Sequence, residues 1–257
     1  MIIKKTAAEL DAMAEAGAIH VRTMDLLAGK IRAGVTTGEL DAAAEKYIRS
    51  QGATPAFKGY RGFPGSICAS PNEMVVHGIP GRFKLRKGDI LSVDIGVVKD
   101  GWVADGARTF PVGEVSPVAD KLLEVTERSL FRAVEQCWPG KRLGDVSNAV
   151  QTTVEGEGLS VVRSLVGHGI GRSMHEEPQI PNYGPAGKGI VLEEGMVLAI
   201  EPMVTAGRHM VRMGDDGWAI YSQDGSLAAH FEFTVAVTVD GPRILNPWHL
   251  SGQRVAA

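Results

Sequence analysis

The segment GDILSVDIGVVKDGWVAD, residues 88–105, decides the fold. In its first half apolar side chains alternate with other residues, which predicts a β-strand that turns Asp94 away from the apolar face. The pair Asp100-Gly101 then favours a two-residue hairpin turn. With that turn, Asp94 lies opposite Ala107, and Asp105 follows two residues away on the same face. The segment therefore predicts a hairpin that carries two carboxylates side by side.

The two carboxylates of this hairpin can be interpreted as a solvated polar face or as part of a metal site. In an arbitrary hairpin they would form a solvated polar face. The strongly apolar sequence around Asp94 argues against this, because an unpaired anion there would carry a large desolvation cost. Carboxylates on diagonal positions, roughly 7–8 Å apart at the backbone, can converge on one small cation. The hairpin thus predicts part of a metal site, unless a three-residue turn reverses the face.

Further candidate ligands stand in the second half of the chain. Glu201 ends the apolar run MVLAI, and Glu232 lies inside FEFTVAV, so both are glutamates in strands with apolar neighbours. His168 is flanked by glycines, and alone it would be a hydrogen-bonded loop histidine. Together these groups carry four negative charges, which suits two divalent ions such as Mn, Fe(II), Co or Zn. Two such ions would bridge and deprotonate a water, the nucleophile of a hydrolase. The candidate ligands are Asp94, Asp105, His168, Glu201 and Glu232.

The chain also resembles itself. Helical spacing predicts a first helix over 6–33, and Thr36 with Glu39 forms a capping box that opens a second helix to about residue 50. Ser116-Pro117 predicts the start of a third helix, and a fourth follows Gly144. Strands are predicted between and after these helices, at 89–98, 102–112, 160–166, 195–204 and 228–240. Three local matches follow that order: GELDAA (38–43) with GDVSNA (144–149), GDILSVD (88–94) with GMVLAIE (195–201), and VHGIP (76–80) with GHGIG (167–171). We expect one α+β domain over 1–257, built from related halves at 6–112 and 113–245 around a shared cleft, with a loose tail at 246–257.

Composition narrows the functional classes. The net charge of −3 gives no broad reason to expect nucleic acid or an anionic membrane as a partner. The two cysteines are too few for a disulfide framework, and the start of the chain has no secretory signal pattern. We therefore expect a cytoplasmic protein.

The longer motifs resemble those of methionine aminopeptidases of the shorter, type I class, which have the pita-bread fold. They are FPGSICASPNEMVVHGIP (63–80), VDIG (93–96), DGART (105–109), GHGIGRSMHEEP (167–178), IEPM (200–203) and FEFT (231–234). The resemblance covers most of the chain in family order. It implies two pseudo-symmetric halves with a central curved antiparallel sheet. It also implies removal of the initiator methionine from nascent proteins and peptides with a small second residue. A monomer, with the ribosome as a candidate partner, is part of the same expectation.

The resemblance assigns roles to individual residues. It implies that the five acidic and histidine candidates hold two metal ions, with Asp105 and Glu232 bridging them. His77 would bond the scissile amide nitrogen, His175 would stabilise the oxyanion, and Glu201 would take the proton of the water. Without the resemblance, His77 and His175 would be surface loop histidines. Four further histidines match no functional position and are expected to be structural: His20, His209, His230 and His249.

A methionine pocket is implied in the same way. Aromatic and sulfur-bearing groups suit an unbranched thioether, although the same residues could serve in ordinary core packing. The expected lining is Phe57, Tyr60, Phe63, Cys68, Met174 and Trp218. Three positions depart from the family pattern: Phe57 where cysteine is common, Met174 where an aromatic is common, and Phe233 where histidine is frequent. The first two affect the shape of the pocket.

Two other functions compete with this one. An aminopeptidase with a shifted side-chain preference would follow from the altered pocket. A pita-bread binding protein that has lost catalysis and serves as an RNA or protein adaptor is the second. Such proteins typically lose metal ligands, whereas this sequence keeps all five candidates together with His77 and His175.

Overall fold

A computed structural model gives the three-dimensional structure of the chain and describes residues 1–250. Within that range the α-helices are α1 (Ala7–Ala28), α2 (Thr37–Ser50), α3 (Pro117–Val134) and α4 (Leu143–Glu155). The strands are β1 (Thr54–Pro55), β2 (Cys68–Pro71), β3 (Met74–Val76), β4 (Ile90–Lys99), β5 (Trp102–Pro111), β6 (Ser160–Val161), β7 (Val166–Gly169), β8 (Glu176–Pro181), β9 (Val197–Ile200), β10 (Met203–Thr205), β11 (Val211–Met213), β12 (Ile220–Ser222), β13 (Ala228–His230), β14 (Phe233–Thr238) and β15 (Gly241–Ile244). A 3₁₀ turn lies at Tyr60–Gly62.

The described strands form antiparallel sheets. In one sheet β4 pairs with β1, β2 and β5, and in a larger one the order is β15-β14-β9-β7-β8. Two smaller sheets have the orders β13-β10-β6 and β11-β12-β3. Helices and antiparallel strands together confirm the predicted α+β class. None of the helices in residues 1–250 has the length and apolar character needed to cross a bilayer.

The hairpin of β4 and β5 has the predicted register. Asp94 lies opposite Ala107, and Asp105 lies opposite Gly96. The turn residues Asp100 and Gly101 both have positive φ, 49° and 77°, as a two-residue turn of type I′ requires. The face that carries both carboxylates is therefore the one expected from the sequence.

Helix starts follow their capping signals more closely than helix ends follow apolar spacing. Thr36 and Glu39 form the predicted capping box of α2, and Ser116 caps α3 ahead of Pro117. By contrast, the apolar spacing predicted a first helix to residue 33, but α1 ends at Ala28. Ile31 continues the spacing because it packs on the core from the loop that follows.

Two predicted strands are each interrupted. The predicted strand 195–204 is divided into β9 and β10 at residues 201–202, and the predicted strand 228–240 is divided into β13 and β14 at 231–232. The amide of Phe231 bonds across to the carbonyl of Pro202, so the two breaks face one another. Each break contains one of the glutamates singled out from the sequence, which frees its side chain from the regular alternation of the strand.

The expected equivalence of the loops at His77 and His168 is wrong. Strands β4 and β9 correspond in the sequence match, which aligns Ser92 with Ala199. Ser92 pairs with Ser70, whereas Ala199 pairs with His168. The strand position equivalent to His168 is therefore Ser70, and His77 lies beyond the following strand, β3.

The expected loose tail from residue 246 is also wrong for its first residues. Asn246 and Trp248 are fully buried, and Trp248 stacks on Phe233 with ring centroids 4.6 Å apart. The indole N–H of Trp248 donates to the carbonyl of Glu232 at 2.9 Å. The rest of the expected tail, 251–257, lies outside the described residues.

A buried hydrogen-bond network ties the β4–β5 hairpin to β14. The amide of Asp105 donates to Thr234 Oγ1 at 3.0 Å, and that hydroxyl donates back to the Asp105 carbonyl at 2.8 Å. Asn246 donates to the same carbonyl at 2.7 Å and accepts from the amide of Thr234 at 2.8 Å. The main chain at Asp105 is therefore fixed by the second half of the chain.

Substituting Thr234→Val should destabilise the protein, because it leaves the buried amide of Asp105 without its acceptor. We expect the free energy of unfolding in urea to fall by about 1–3 kcal/mol. Thr126→Val is the matched control, since the buried hydroxyl of Thr126 bonds only back to the carbonyl of Leu122 within α3. Equal stability of the two variants would contradict a special role for the Thr234 bridge.

Candidate functional site

A cleft of about 310 Å³ gathers all the site residues predicted from the sequence. The five candidate metal ligands, His77 and His175, and the residues of the expected methionine pocket all line it. These residues come from distant parts of the chain, and the structure brings them to one cavity. They are Phe57, Tyr60, Phe63, Cys68, His77, Asp94, Asp105, His168, Met174, His175, Glu201, Trp218 and Glu232.

The carboxylates and His168 form a buried cluster. Asp94, Asp105 and Glu232 are 9%, 5% and 2% exposed. His168 Nε2 lies 3.6 Å from Glu201 Oε1 and 4.0 Å from Asp105 Oδ2. One donor atom each from Asp105, His168 and Glu232 lies within 4.8 Å of the others, a spacing that suits a shared ion.

The electrostatics of this cluster call for a cation. Burial, and then the neighbouring carboxylates, raise the pKa values of Asp94, Glu201 and Glu232 well above the ordinary range. Burial raises the pKa of Asp105 to about 7. Buried oxygens of Asp94 and Glu232 also have no hydrogen-bond partner among the described residues. Anionic oxygens aimed at one another without donors are the arrangement that divalent ions satisfy, so the donor set fits such ions.

Main-chain contacts hold these side chains in place. The amide of Glu232 donates to the carbonyl of Ala107 at 2.9 Å, which brings the break between β13 and β14 against the hairpin. Asn182 donates to the carbonyl of Glu201 at 2.9 Å. His168 Nδ1 lies 2.9 Å from the carbonyl of Gly169, which leaves Nε2 directed at the carboxylates.

The two other predicted histidines stand beside the cluster on strained or anchored backbone. His77 has a left-handed φ of 60°, uncommon for a residue with a Cβ, and such outliers concentrate at functional sites. Desolvation and then the nearby His175 lower the pKa of His77. His175 Nδ1 lies 2.9 Å from the hydroxyl of Tyr60, so Tyr60 contacts the histidine as well as lining the pocket. When that hydroxyl donates, the ring proton of His175 is on Nε2.

The loop that carries His175 is anchored by a buried ion pair. Lys5 Nζ lies 2.6 Å from Glu176 Oε2, with only 3% and 7% of the two side chains exposed. Glu176 Oε1 accepts from the amides of Arg172 and Ser173 at 2.9 and 3.2 Å. The segment before α1 therefore fixes the loop next to the cleft.

The apolar part of the cleft is lined by aromatic and sulfur-bearing side chains. Phe63 and Trp218 meet edge to face with ring centroids 5.1 Å apart. Phe57 and Met174 both reach over Gly96, where an added Cβ would lie 2.8 Å from either side chain. Gly96 is thus the position in β4 that leaves room for the two residues that depart from the family pattern.

His230 is the residue of the cleft that the sequence analysis missed. It was expected to be structural, yet it lines the cavity, is 2% exposed and has its Nε2 atom 3.7 Å from Glu201 Oε2. Burial lowers its pKa to about 3. Its position two residues before Glu232 was an available signal, because alternate residues of a strand share a face. Arg61, Val76, Ser164, Leu165, Val166 and Met203 also line the cleft without having been predicted.

Comparison with known proteins places the chain in a family. The model of metallopeptidase family M24 matches residues 11–239, and the chain belongs to that family. Among its relatives, methionine aminopeptidase 1 of Bacillus subtilis is 53% identical over 245 residues, 95% of this chain and 99% of that protein.

Solved structures agree. Methionine aminopeptidase from Rickettsia prowazekii has a TM-score of 0.94 at 40% identity, covering 96% of this chain and all of that one. The enzyme from Thermotoga maritima has a TM-score of 0.94 at 44% identity, with 96% and 99% covered. Within the M24 metallopeptidases, the chain is thus similar to methionine aminopeptidases over nearly its whole length.

Metal-free protein should lose stability as the pH rises from about 7 to 8.5. In the unfolded chain the carboxylates are already ionised, whereas in the folded cluster Asp105, with a pKa of about 7, still holds part of its proton, and burial also raises the pKa values of Asp94 and Glu232. Raising the pH removes protons from the folded state alone, which lowers its relative stability. The buried histidines have lowered pKa values and are largely neutral in both states in this range.

The measurement is the melting temperature of chelator-treated protein across that pH range. It should fall, the fall should be shallower in Asp105→Asn, and added divalent ions should remove it. A melting temperature of the metal-free protein that is flat or rising would contradict the raised pKa values.

Proposed function

We propose that the chain hydrolyses the first peptide bond of polypeptides that begin with methionine and have a small second residue. It is a hydrolase of the M24 metallopeptidase family, and its high-coverage relatives are named methionine aminopeptidases. The observation that carries the proposal is that a carboxylate cluster and a set of apolar side chains line one cleft. Such a cleft can hold an apolar side chain while chemistry takes place on the bond next to it.

We propose that Asp94, Asp105, His168, Glu201 and Glu232 would hold two divalent ions of the group Co, Mn, Fe(II) or Zn. The burial of Asp94, Asp105, His168 and Glu232 supports the assignment, as do the unpartnered oxygens of Asp94 and Glu232. When bound, the ions supply positive charge that favours ionised water and stabilises negative charge developing on the substrate.

The chain's own residues then handle the proton and the amide. Glu201 is proposed as the base, because its carboxylate stands at the edge of the cluster with 14% of the side chain exposed. His77 is proposed to bond the scissile nitrogen and His175 the carbonyl oxygen as it becomes negative. The contact of Tyr60 with His175 Nδ1 supports the second role, since it leaves Nε2 free to donate into the cleft.

The apolar end of the cleft is proposed to take the methionine side chain. Buried Phe63, Cys68 and Met174 offer it apolar and polarisable contacts. Phe57, Tyr60 and Trp218 complete the proposed pocket.

We propose one catalytic domain over 1–257 whose halves, 6–112 and 113–245, are pseudo-symmetric as in the pita-bread fold. Equivalent hydrogen bonds ahead of α2 and α4 support this. Gly34 N to Leu85 O matches Gly140 N to Leu192 O, and Thr37 N to Phe83 O matches Leu143 N to Ile190 O. The isolated bridges Thr36–Lys84 and Arg142–Val191 repeat in the same way.

Nascent polypeptides and peptides with an N-terminal methionine are the proposed partners. We propose that the protein is a monomer that acts in the cytoplasm within reach of the ribosome, where such N-termini emerge. The two buried free cysteines suit a reducing compartment.

Peptide hydrolysis distinguishes the competing functions. With Mn or Co added, we expect rapid cleavage of Met-Gly-X and poor cleavage of Leu-Gly-X and Met-Leu-X, with loss of activity on chelation. Glu201→Gln is the matched control and should be inactive. Leu-Gly-X cleaved as fast as Met-Gly-X would instead indicate a shifted pocket, and no cleavage by metal-loaded protein would indicate an adaptor.

Replacing Tyr60 by Phe should lower kcat and change KM little. The ring that lines the pocket remains, but the hydroxyl that orients His175 is lost, which at the usual worth of one hydrogen bond gives roughly a three- to tenfold decrease. Steady-state kinetics on Met-Gly-X measures this. Tyr47→Phe on α2, away from the residues that line the cleft, is the control. An unchanged kcat in Tyr60→Phe would remove the positioning role.

A further inference from the structure

His230 is a buried histidine in the cleft whose hydrogen-bonding capacity is unused. It is the last residue of β13, just before the break that contains Glu232. Neither of its ring nitrogens has a hydrogen-bond partner among residues 1–250. A buried imidazole without partners is uncommon and calls for an explanation, such as an ion that the ring helps to bind.

The distances around His230 repeat those around His168. His230 Nε2 lies 3.7 Å from Glu201 Oε2 and 3.9 Å from Glu232 Oε2. His168 Nε2 lies 3.6 Å from Glu201 Oε1 and 4.0 Å from Asp105 Oδ2. The carboxylate of Glu201 therefore stands between two imidazoles, with one oxygen directed to each.

These separations suit a shared ion better than a direct hydrogen bond. At 3.7 and 3.9 Å they exceed hydrogen-bond length. Two donors that are each about 2.1 Å from a common ion lie about 3–4 Å from one another. Glu232 Oε1 is buried and has no hydrogen-bond donor among residues 1–250. An ion between His230, Glu201 and Glu232 would also neutralise the carboxylate to which this oxygen belongs.

We propose that His230 is a further protein ligand of the metal centre, giving its Nε2 to an ion that Glu201 and Glu232 also hold. The proposal rests on the dinuclear centre proposed above and adds a second imidazole to it. A nitrogen donor in place of water favours Co and Zn over Mn, in line with the general order of affinities.

Cobalt binding tests the proposal without measuring activity. Chelator-stripped wild type, His230→Gln and His175→Gln are titrated with Co²⁺ by calorimetry, with the visible absorption of Co(II) recorded alongside. We expect two ions in wild type, an affinity for one of them at least tenfold weaker in His230→Gln, and a changed absorption spectrum in that variant. His175→Gln should match wild type, because among residues 1–250 His175 has no carboxylate within 4.0 Å of its ring nitrogens, whereas His230 has two. An unchanged affinity and spectrum in His230→Gln overturns the proposal.

Proton NMR of cobalt-loaded wild type gives a second measurement that needs no folded variant. Cobalt-ligated histidines show strongly shifted ring N–H signals that exchange with solvent. Two such signals are expected, and one alone, from His168, overturns the proposal while leaving the dinuclear centre in place. Wild type that binds no cobalt overturns the centre and this proposal together.

Discussion

The mutual repulsion of four buried carboxylates is the constraint on which the rest of the structure depends. Asp94, Asp105, Glu201 and Glu232 are drawn out of water and toward one point. Burial raises the pKa values of all four, and neighbouring carboxylates raise those of Asp94, Glu201 and Glu232 further. An apolar core alone would not keep such a group ionised and close together. Either protons or cations must neutralise it, and near neutral pH divalent cations do so with the donor atoms already in position.

The fold holds the carboxylates together through hydrogen bonds to the main chain of the residues that carry them. The main chain at Asp105 is bound by Thr234 and Asn246, and the main chain at Glu232 by Ala107 and Trp248. These bonds run between the first hairpin, β14 and the segment after β15, so the cluster is assembled only when both halves are in place. The carboxylate oxygens take little part in this network, which leaves them available for ions.

Sequence reasoning predicts the parts of this arrangement that local rules determine. The register of the β4–β5 hairpin follows from strand alternation and the Asp-Gly turn, and with it the common face of Asp94 and Asp105. The strand breaks at Glu201 and Glu232, by contrast, depend on a contact between Phe231 and Pro202 that no local pattern contains. Burial of Trp248 beyond the last strand depends equally on distant residues, so no local pattern predicts it.

Two errors show where a sequence match needs strand pairing beside it. The loops at His77 and His168 share letters, yet the pairing of β2 with β4 and of β7 with β9 gives them different positions. His230 matches no functional position of the family, although it lies two residues before Glu232 in the single strand predicted over 228–240, where alternation assigns both to one face. The same strand alternation that identified Asp94 and Asp105 would have identified His230.

The shape of the methionine pocket depends on the sizes of two neighbouring side chains, Phe57 and Met174. Phe57 is larger than the cysteine common at its position, and Met174 is slimmer and more flexible than the aromatic common at its own. Both pack over Gly96, where a Cβ would clash with each of them. The larger Phe57 thus takes up volume that the slimmer Met174 leaves beside it. The unbranched side chain of a substrate methionine can change its rotamer to fit the space that remains. Since Gly96 also lies opposite Asp105, the shape of the pocket and the position of the metal ligand are set by the same pair of strands.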